Sequence, residues 1–247
     1  MFDIAWVRSQ LPGRRVDWYE SIGSTMPEAA ALAMAGAPSG TAVVAGMQTS
    51  GLGRHGRNWH SAADTGLYVS VILRFPQQAE HFPALTLAAG LAAQEAIHLS
   101  TGIECDIRWP NDLLVEDRKC AGILTQAESG AAIVGIGINV NHAEFPENLR
   151  EIATSLRLAS GRVHSREQLF VQLLRSLDLR KECLIAEGLP PLLRNFAAAS
   201  SYVRGRRVTT DDGQVGVTAG LDASGFLLLR RDSGALTRVL AGGVRPI

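Results

Sequence analysis

Lysine is almost missing from this chain. Of its 24 basic residues only Lys119 and Lys181 are lysines, so arginine serves wherever a general positive charge is wanted. A lysine that survives such a bias is a candidate for a task that needs a compact ammonium rather than a wide planar fork. Lys181, on a helical stretch, has the plainer explanation of chance retention. Cysteine is scarce too. Cys105, Cys120 and Cys183 show neither paired nor metal-type spacing, which excludes a disulfide scaffold and fits reduced thiols in a cytoplasmic protein. Neither sign of charge is in excess, with 24 acidic residues against 24 basic, and that argues against nucleic acid as the main partner. No basic and then apolar leader opens the chain. The most apolar window, Pro83 to Leu99, is interrupted by Gln94, Glu95 and His98, so it is too short and too polar to span a bilayer. What remains is a 247-residue chain, 46% hydrophobic, able to bury a sizeable core as one large domain or a domain plus a small module.

The stretch Gln48 to Trp59, QTSGLGRHGRNW, stands out. It lies between two strand-like runs, Thr41 to Met47 and Leu67 to Arg74, and contains no carboxylate. Its glycines let the backbone turn tightly and bring N–H groups close to a ligand. Arg54 and Arg57 have no acid nearby in sequence, which leaves two planar forks for carboxylate or phosphate oxygens. A solvated basic turn has the same composition, so the stretch alone does not decide between them.

Taken in order, Arg15 to Glu20 reads as a short strand. Thr25 and Glu28 form a capping-box pattern with Pro27 in the first turn, so a helix starts there and ends at Gly36. Thr25 has a capping role that accounts for it; Ser24 does not. Leu67 to Arg74 alternates as a strand with one packed face, and Pro83 to Leu99 is a helix packed on several sides. Ile103 to Trp109 and Leu113 to Glu116 read as paired strands around the turn Pro110–Asn111–Asp112. Asp117–Arg118 makes a second turn, and Lys119 opens the apolar strand Cys120 to Gln126, an unusual place for a lysine. Ala131 to Asn141 is another strand, with Gly135 and Gly137 on one face. Such glycines indicate close approach by a ligand or by another part of the chain; no helix follows, so this is not a dinucleotide fingerprint. Ser165 and Gln168 cap a long helix to about Glu187, and Leu189 to Ala199 is helical. From Arg206 onward short β-like runs are broken by Asp/Gly turns, as in a small barrel of about five strands. The boundary falls near Ser200–Arg204, giving residues 1–200 and 201–247.

Five separated stretches, in this order, resemble the biotin protein ligases: Ser24–Thr25, Gln48–Trp59, Arg108–Trp109–Pro110–Asn111–Asp112, Arg118 to Leu124, and Gly135 to Asn139. Each is weak alone; the five in sequence are specific and cover nearly the whole chain. The resemblance implies an α+β fold. A mixed sheet flanked by helices, related to class II aminoacyl-tRNA synthetases and lipoate ligases, precedes an SH3-like barrel. It implies ATP-dependent conversion of biotin to biotinyl-AMP, then transfer to a lysine of a biotin carboxyl carrier protein such as the acetyl-CoA carboxylase subunit. By the same resemblance Lys119, Arg54 and Asp112 are the catalytic candidates. Ser24, Thr25, Met26, Gln48, Leu52, Gly53, Gly122 and Gly137, with Arg54 and Lys119, are biotin-binding candidates. Arg57, Trp59, Asn111 and Asn139, with Arg54, Asp112 and Lys119, face ATP. Asp112 is also a candidate contact for Mg2+ or for the acceptor lysine. The chemistry suits these residue types, because joining two anions needs cations and N–H groups where charge builds up.

Two departures from the family pattern matter. Leu52 stands where the family's loop commonly has arginine, and Met26 where it usually has asparagine. Only 23 residues precede Ser24, too few for the helix-turn-helix of the family's repressors, so the reading is a monofunctional ligase without DNA or membrane binding; a homodimer stays open. The rival readings are a lipoate-type ligase on the same fold and a non-catalytic protein that holds biotin or biotinyl-AMP.

Overall fold

The computed structural model describes residues 2–75 and 82–247, with backbone alone at 82 and 83. A seven-stranded mixed sheet forms the centre. Its strands are β1 (Val16–Tyr19), β2 (Ala42–Ala45), β3 (Gly66–Leu73), β4 (Asp106–Arg108), β5 (Asp112–Val115), β6 (Arg118–Glu128) and β7 (Ala131–Asn139). Their spatial order is β1-β2-β3-β7-β6-β5-β4, with β1 and β2 parallel and all other pairs antiparallel. The helices are α1 (Ile4–Gln10), α2 (Thr25–Met34), α3 (Phe82–Thr101), α4 (Glu147–Arg150), α5 (Leu156–Ser160), α6 (Arg166–Glu187) and α7 (Leu189–Ala199).

Alternation along the strands sorts side chains into two layers. On β3, Leu67, Val69, Val71 and Leu73 join the main core with residues of α1, α3, α6 and α7, while Ile72 faces the smaller core under α2 with Met26, Ala29 and Ala33. Every residue of β3 is buried. The one-sided strand expected from its alternation is therefore covered on both faces, since α2 lies over the face that Tyr68, Ser70 and Ile72 share. β7 explains where the site comes from. Its α2-side face reads Ala131, Ile133, Gly135, Gly137 and Asn139. The first two pack in the smaller core; from the glycines onward the side chains vanish and the face is left to a cleft.

Two expected local features differ. Ser24, not Thr25, is the N-cap of α2, its hydroxyl accepting from the Met26 N–H at 3.4 Å, and Glu28 accepts from the Tyr19 hydroxyl at 2.8 Å instead of completing a capping box. The second tight turn is centred on Glu116 and Asp117, both at positive φ, one residue earlier than expected, so β6 begins at Arg118. Ser165 caps α6 as expected, accepting from the Gln168 N–H.

After α7 come β8 (Arg204–Thr210), β9 (Val215–Leu221), β10 (Leu227–Arg230), β11 (Leu236–Val239) and β12 (Val244–Pro246). They form a five-stranded antiparallel sheet in the order β11-β10-β9-β8-β12. No helix among the described residues is long and apolar enough to cross a membrane.

Candidate functional site

The open face of β6 and β7 forms an inner cleft that continues into a larger outer one. The inner cleft, about 50 Å³, is lined by Ser24, Thr25, Met26, Gln48, Leu52, Gly53 and Arg54, and on its far side by Trp59, Asn111, Lys119, Gly122 and Gly137. A polar knot closes one end. The Gln48 amide oxygen accepts from the Thr25 N–H at 2.8 Å and from its hydroxyl at 3.2 Å. The Gln48 amide nitrogen donates to Ser61 at 2.9 Å, and the Thr25 hydroxyl lies 2.7 Å from that of Ser70. Among the described residues the Ser24 hydroxyl makes the long cap bond alone, as an acceptor, which leaves its O–H able to donate. Tyr68 also lines this cleft; burial pushes its phenol up to about 12, so it remains a neutral donor, used on the Ala62 carbonyl.

The glycines are needed where they stand. A Cβ on Gly135 would lie 2.5 Å from Met26 Sδ, and one on Gly137 would lie 2.5 Å from the Trp59 indole. Met26, which stands where the resembled family usually has asparagine, thus fills the floor as an apolar contact. Trp59 lies flat over Gly137 and Gly122, with its indole N–H buried and unpartnered among the described residues.

Lys119 reaches the junction of the two clefts because β6 carries a bulge. Leu113 pairs with Ala121 but Leu114 with Lys119, leaving Cys120 as the extra residue. A bulge re-aims side chains, and here Lys119 and Gly122 share a side: a Cβ on Gly122 would touch Lys119 Nζ at 3.0 Å. Lys119 Nζ is 2.5 Å from Asp112 Oδ1 and 5.2 Å from the Trp59 ring centroid. Arg108 holds the other Asp112 oxygen at 2.7 Å. Burial works to raise the Asp112 carboxyl, but Lys119 and Arg108 together outweigh it and hold the group below its ordinary value. Arg54 donates to Asn111 Oδ1 at 2.7 Å. Burial lowers its guanidinium, with Asp112 and Asp211 acting in the opposite sense. So one expected free fork is held by a neutral amide, which orients it without cancelling its charge. Arg57 is exposed, its guanidinium unpaired among the described residues. Arg54, Arg57, Arg108 and Lys119 line the outer cleft with Asp112, while Asp117, Glu151 and Asp211 also border it.

The loop itself is a small hairpin. Gly53 N–H donates to Arg57 O at 2.7 Å, Trp59 N–H to Gly51 O at 2.9 Å, and Leu52 bridges Asn58. The outer cleft, about 450 Å³, is lined by Arg54, Arg57, Trp59, Asn111, Asp112, Lys119 and Asn139 among the expected residues. Asn139 is buried and donates to the Thr154 carbonyl at 3.1 Å and that of Lys119 at 3.4 Å. Phe145, Leu149 and Ile152 add an apolar wall; Asp211 and Arg245 of the C-terminal sheet form part of the rim.

Every expected site residue thus borders one cleft or the other. Sequence reasoning missed Ser61, Ser70, Tyr68 and the C-terminal rim. Ser70 carried a signal, a hydroxyl inside a buried strand that must find a bond; the rim carried none. A metal near Asp112 would depend on nucleotide oxygens for most of its ligands. Both Asp112 oxygens are taken by cations, and no group of three or more His, Cys, Asp or Glu that could hold a metal occurs among the described residues.

A family model, described as the biotin/lipoate A/B protein ligase family, matches residues 18–142. The chain is 38% identical over 237 residues to the bifunctional ligase/repressor BirA of Bacillus spizizenii, covering 92% of this chain and 73% of that protein. It is 34% identical over 254 aligned residues to the biotin–[acetyl-CoA-carboxylase] ligase of Mycobacterium tuberculosis, covering 96% and 92%. Among solved structures, the biotin protein ligase from Aquifex aeolicus in complex with biotin and ATP matches with a TM-score of 0.82 at 28% identity, over 94% of this chain and 99% of that one.

Proposed function

This chain belongs to the biotin/lipoate A/B protein ligase family, and from that premise we propose that it activates biotin with ATP and transfers it to a lysine of a biotin carboxyl carrier protein. The observation that carries the reading is the placement of Lys119 and Arg54 at the junction of the two clefts, each lining both. The inner cleft takes biotin and the outer cleft ATP. Thr25, Gln48 and the free Ser24 hydroxyl meet the polar ureido head, and Met26, Gly135 and Gly137 border the ring system. At about 50 Å³ the inner cleft has room for a few waters, each needing roughly 10–15 Å³, so Trp59 and the loop hairpin move aside when biotin enters.

In the first step a carboxylate oxygen of biotin attacks the α-phosphorus of ATP. A new O–P bond forms, the bond from that phosphorus to the bridging oxygen breaks, and pyrophosphate leaves with the electron pair. Negative charge gathers at the junction, where Lys119 Nζ, kept in place by Asp112, and Arg54, aligned by Asn111, donate to the new oxygens. In the second step the neutral amine of the carrier lysine attacks the acyl carbon. Lys119 stabilises the oxyanion, the acyl–phosphate bond breaks, AMP leaves, and the amine gives up its proton. Asp112, held ionised by two cations, orients Lys119. Magnesium, when bound, would be carried largely by phosphate oxygens and would neutralise their charge; no step here is assigned to it. Three free thiols fit a reducing cytoplasm, and the division at 200/201 into a catalytic domain and an SH3-like one belongs to the same proposal.

The test is ATP–pyrophosphate exchange with biotin and with lipoate. Exchange with biotin alone supports the reading. Exchange with lipoate alone points to the lipoate rival, and tight biotin binding without exchange to the non-catalytic one.

A further inference from the structure

Trp109 forms part of the outer cleft wall, yet its indole is tied to the C-terminal sheet. The ring is buried, and Nε1 donates to the Gly225 carbonyl at 3.1 Å. Gly225 lies in the turn between β9 and β10 at φ +87°. That turn is itself fixed. The Gly225 N–H donates to the Asp222 carbonyl, and Asp222 Oδ1 accepts from the N–H groups of Ser224 and Phe226. A Cβ on Gly225 would come within 3.0 Å of Leu87 and 3.2 Å of Leu193, so the turn is seated on α3 and α7. The carbonyl that Trp109 grips belongs to the frame of the molecule.

On its other side Trp109 is the last residue before Pro110–Asn111–Asp112. Asn111 accepts from Arg54, and Asp112 holds Lys119. Asn111 also exchanges two bonds with β6: the Ile123 N–H donates to its carbonyl at 2.9 Å, and its amide nitrogen donates to the Ile123 carbonyl at 3.1 Å. The edge strand β4, which leads into Trp109, is pinned by the chain entering the C-terminal sheet. Ser200 Oγ donates to the Ile107 carbonyl at 2.5 Å, and the Ser201 N–H donates to Asp106 at 2.9 Å.

We propose that Trp109 is a positioning residue: its indole N–H on Gly225 sets the turn so that Asn111 aligns Arg54 and Asp112 aligns Lys119. The C-terminal sheet thereby reaches the reacting centre through one hydrogen bond, besides forming its rim. The kinetic part of this inference rests on the adenylate-forming reading; the structural part does not. Indole offers a donor and no acceptor, so Trp109→Phe removes the tether while keeping an aromatic ring. Replacing Trp109 by 3-benzothienylalanine, with sulfur where the N–H stands, removes the donor at nearly constant shape and serves if the phenylalanine variant does not fold.

The first measurement is hydrogen exchange at the Ile123 amide, whose acceptor is Asn111. Its exchange is expected to quicken about tenfold in either variant, the size of one lost hydrogen bond, with the Gln48 and Ser70 segments unchanged. Unchanged Ile123 protection overturns the proposal. The second measurement is biotin-dependent pyrophosphate exchange. Its kcat is expected to fall about 10- to 100-fold, as for a misplacement of around 1 Å, while the biotin Kd holds, because the ureido end hangs from α2 and β2. A lower melting temperature with kcat per active site unchanged assigns Trp109 a merely structural role and overturns the proposal. In an Asn111→Ala background the Trp109 effect should shrink; full additivity contradicts action through Asn111. Absence of exchange in the wild type refutes the adenylate reading and leaves the Ile123 amide to decide on Trp109.

Discussion

Leu52 replaces the arginine that the family's loop commonly carries, and the structure sets the size of what it can do. It sits at the lip of the inner cleft, bridged to Asn58 across the loop hairpin, and is 42% exposed. Full burial of a leucine stabilises by about 1.5–3 kcal/mol, and less than half of its surface is left to cover. Closure over biotinyl-AMP can therefore gain about 1 kcal/mol from this side chain, a factor of about 5 in rate. An arginine there would act by charge, and an exposed charge is screened by salt; an apolar contact is not. The expected outcome is that Leu52→Ala releases biotinyl-AMP about fivefold faster at low and high salt alike. Leu52→Arg should retain it well at low salt and lose that advantage at high salt. The assay is the adenylate off-rate after a chase, for wild type and both variants at two ionic strengths. An unchanged off-rate in Leu52→Ala refutes the lid contact and leaves retention to Arg54, Arg57 and Trp59.

Lys119→Ala should abolish exchange, and Lys119→Arg should rescue it poorly, because Gly122 and Trp59 crowd the ammonium position; near-normal exchange in the arginine variant contradicts the point-charge role. Arg54→Ala should lower exchange roughly 10²–10³-fold, and proteolysis between Gln48 and Trp59 should slow when biotin and ATP are both present; cleavage unaffected by ligands marks the loop as merely solvated. His142 gives a pH prediction. Burial, with His60 adding to it, lowers its imidazole from 6.5 to about 4. Between those values the unfolded chain binds more protons than the folded one. Stability should therefore be full above pH 6.5 and fall by roughly 3 kcal/mol as pH drops to about 4. Denaturant titrations across that range should show the slope and lose it in His142→Phe; an equal slope in both assigns it to other groups.

Much of this was legible because it was local. The glycines of β7 announced close approach, and Trp59 and Met26 are what approach them. The scarcity of lysine pointed to Lys119. Elements with a strong period, α3, α6 and α7 among them, fell within a few residues of expectation. Local pattern misled where a tertiary contact outbid it. Thr25 had the look of a cap, but Gln48 and Ser70 claim its hydroxyl and Ser24 caps instead. β3 alternates like a half-exposed strand, yet Tyr68 and Ser70 are buried under α2, the Tyr68 hydroxyl bonded to the Ala62 carbonyl and the Ser70 hydroxyl to Thr25. The Cys120 bulge leaves no mark in sequence, because it depends on how β5 pairs with β6. Asp112 stood out through the family resemblance as a contact for Mg2+ or the acceptor lysine; its pairing with Lys119 and Arg108 is visible only in space.

The central claim is tested most directly by the intact mass of a biotin carboxyl carrier domain incubated with this protein, biotin and ATP. The account predicts a gain of one biotinyl group on a single lysine, requiring ATP and lost with Lys119→Ala. A carrier of unchanged mass, in the presence of folded protein that binds biotin, would contradict it.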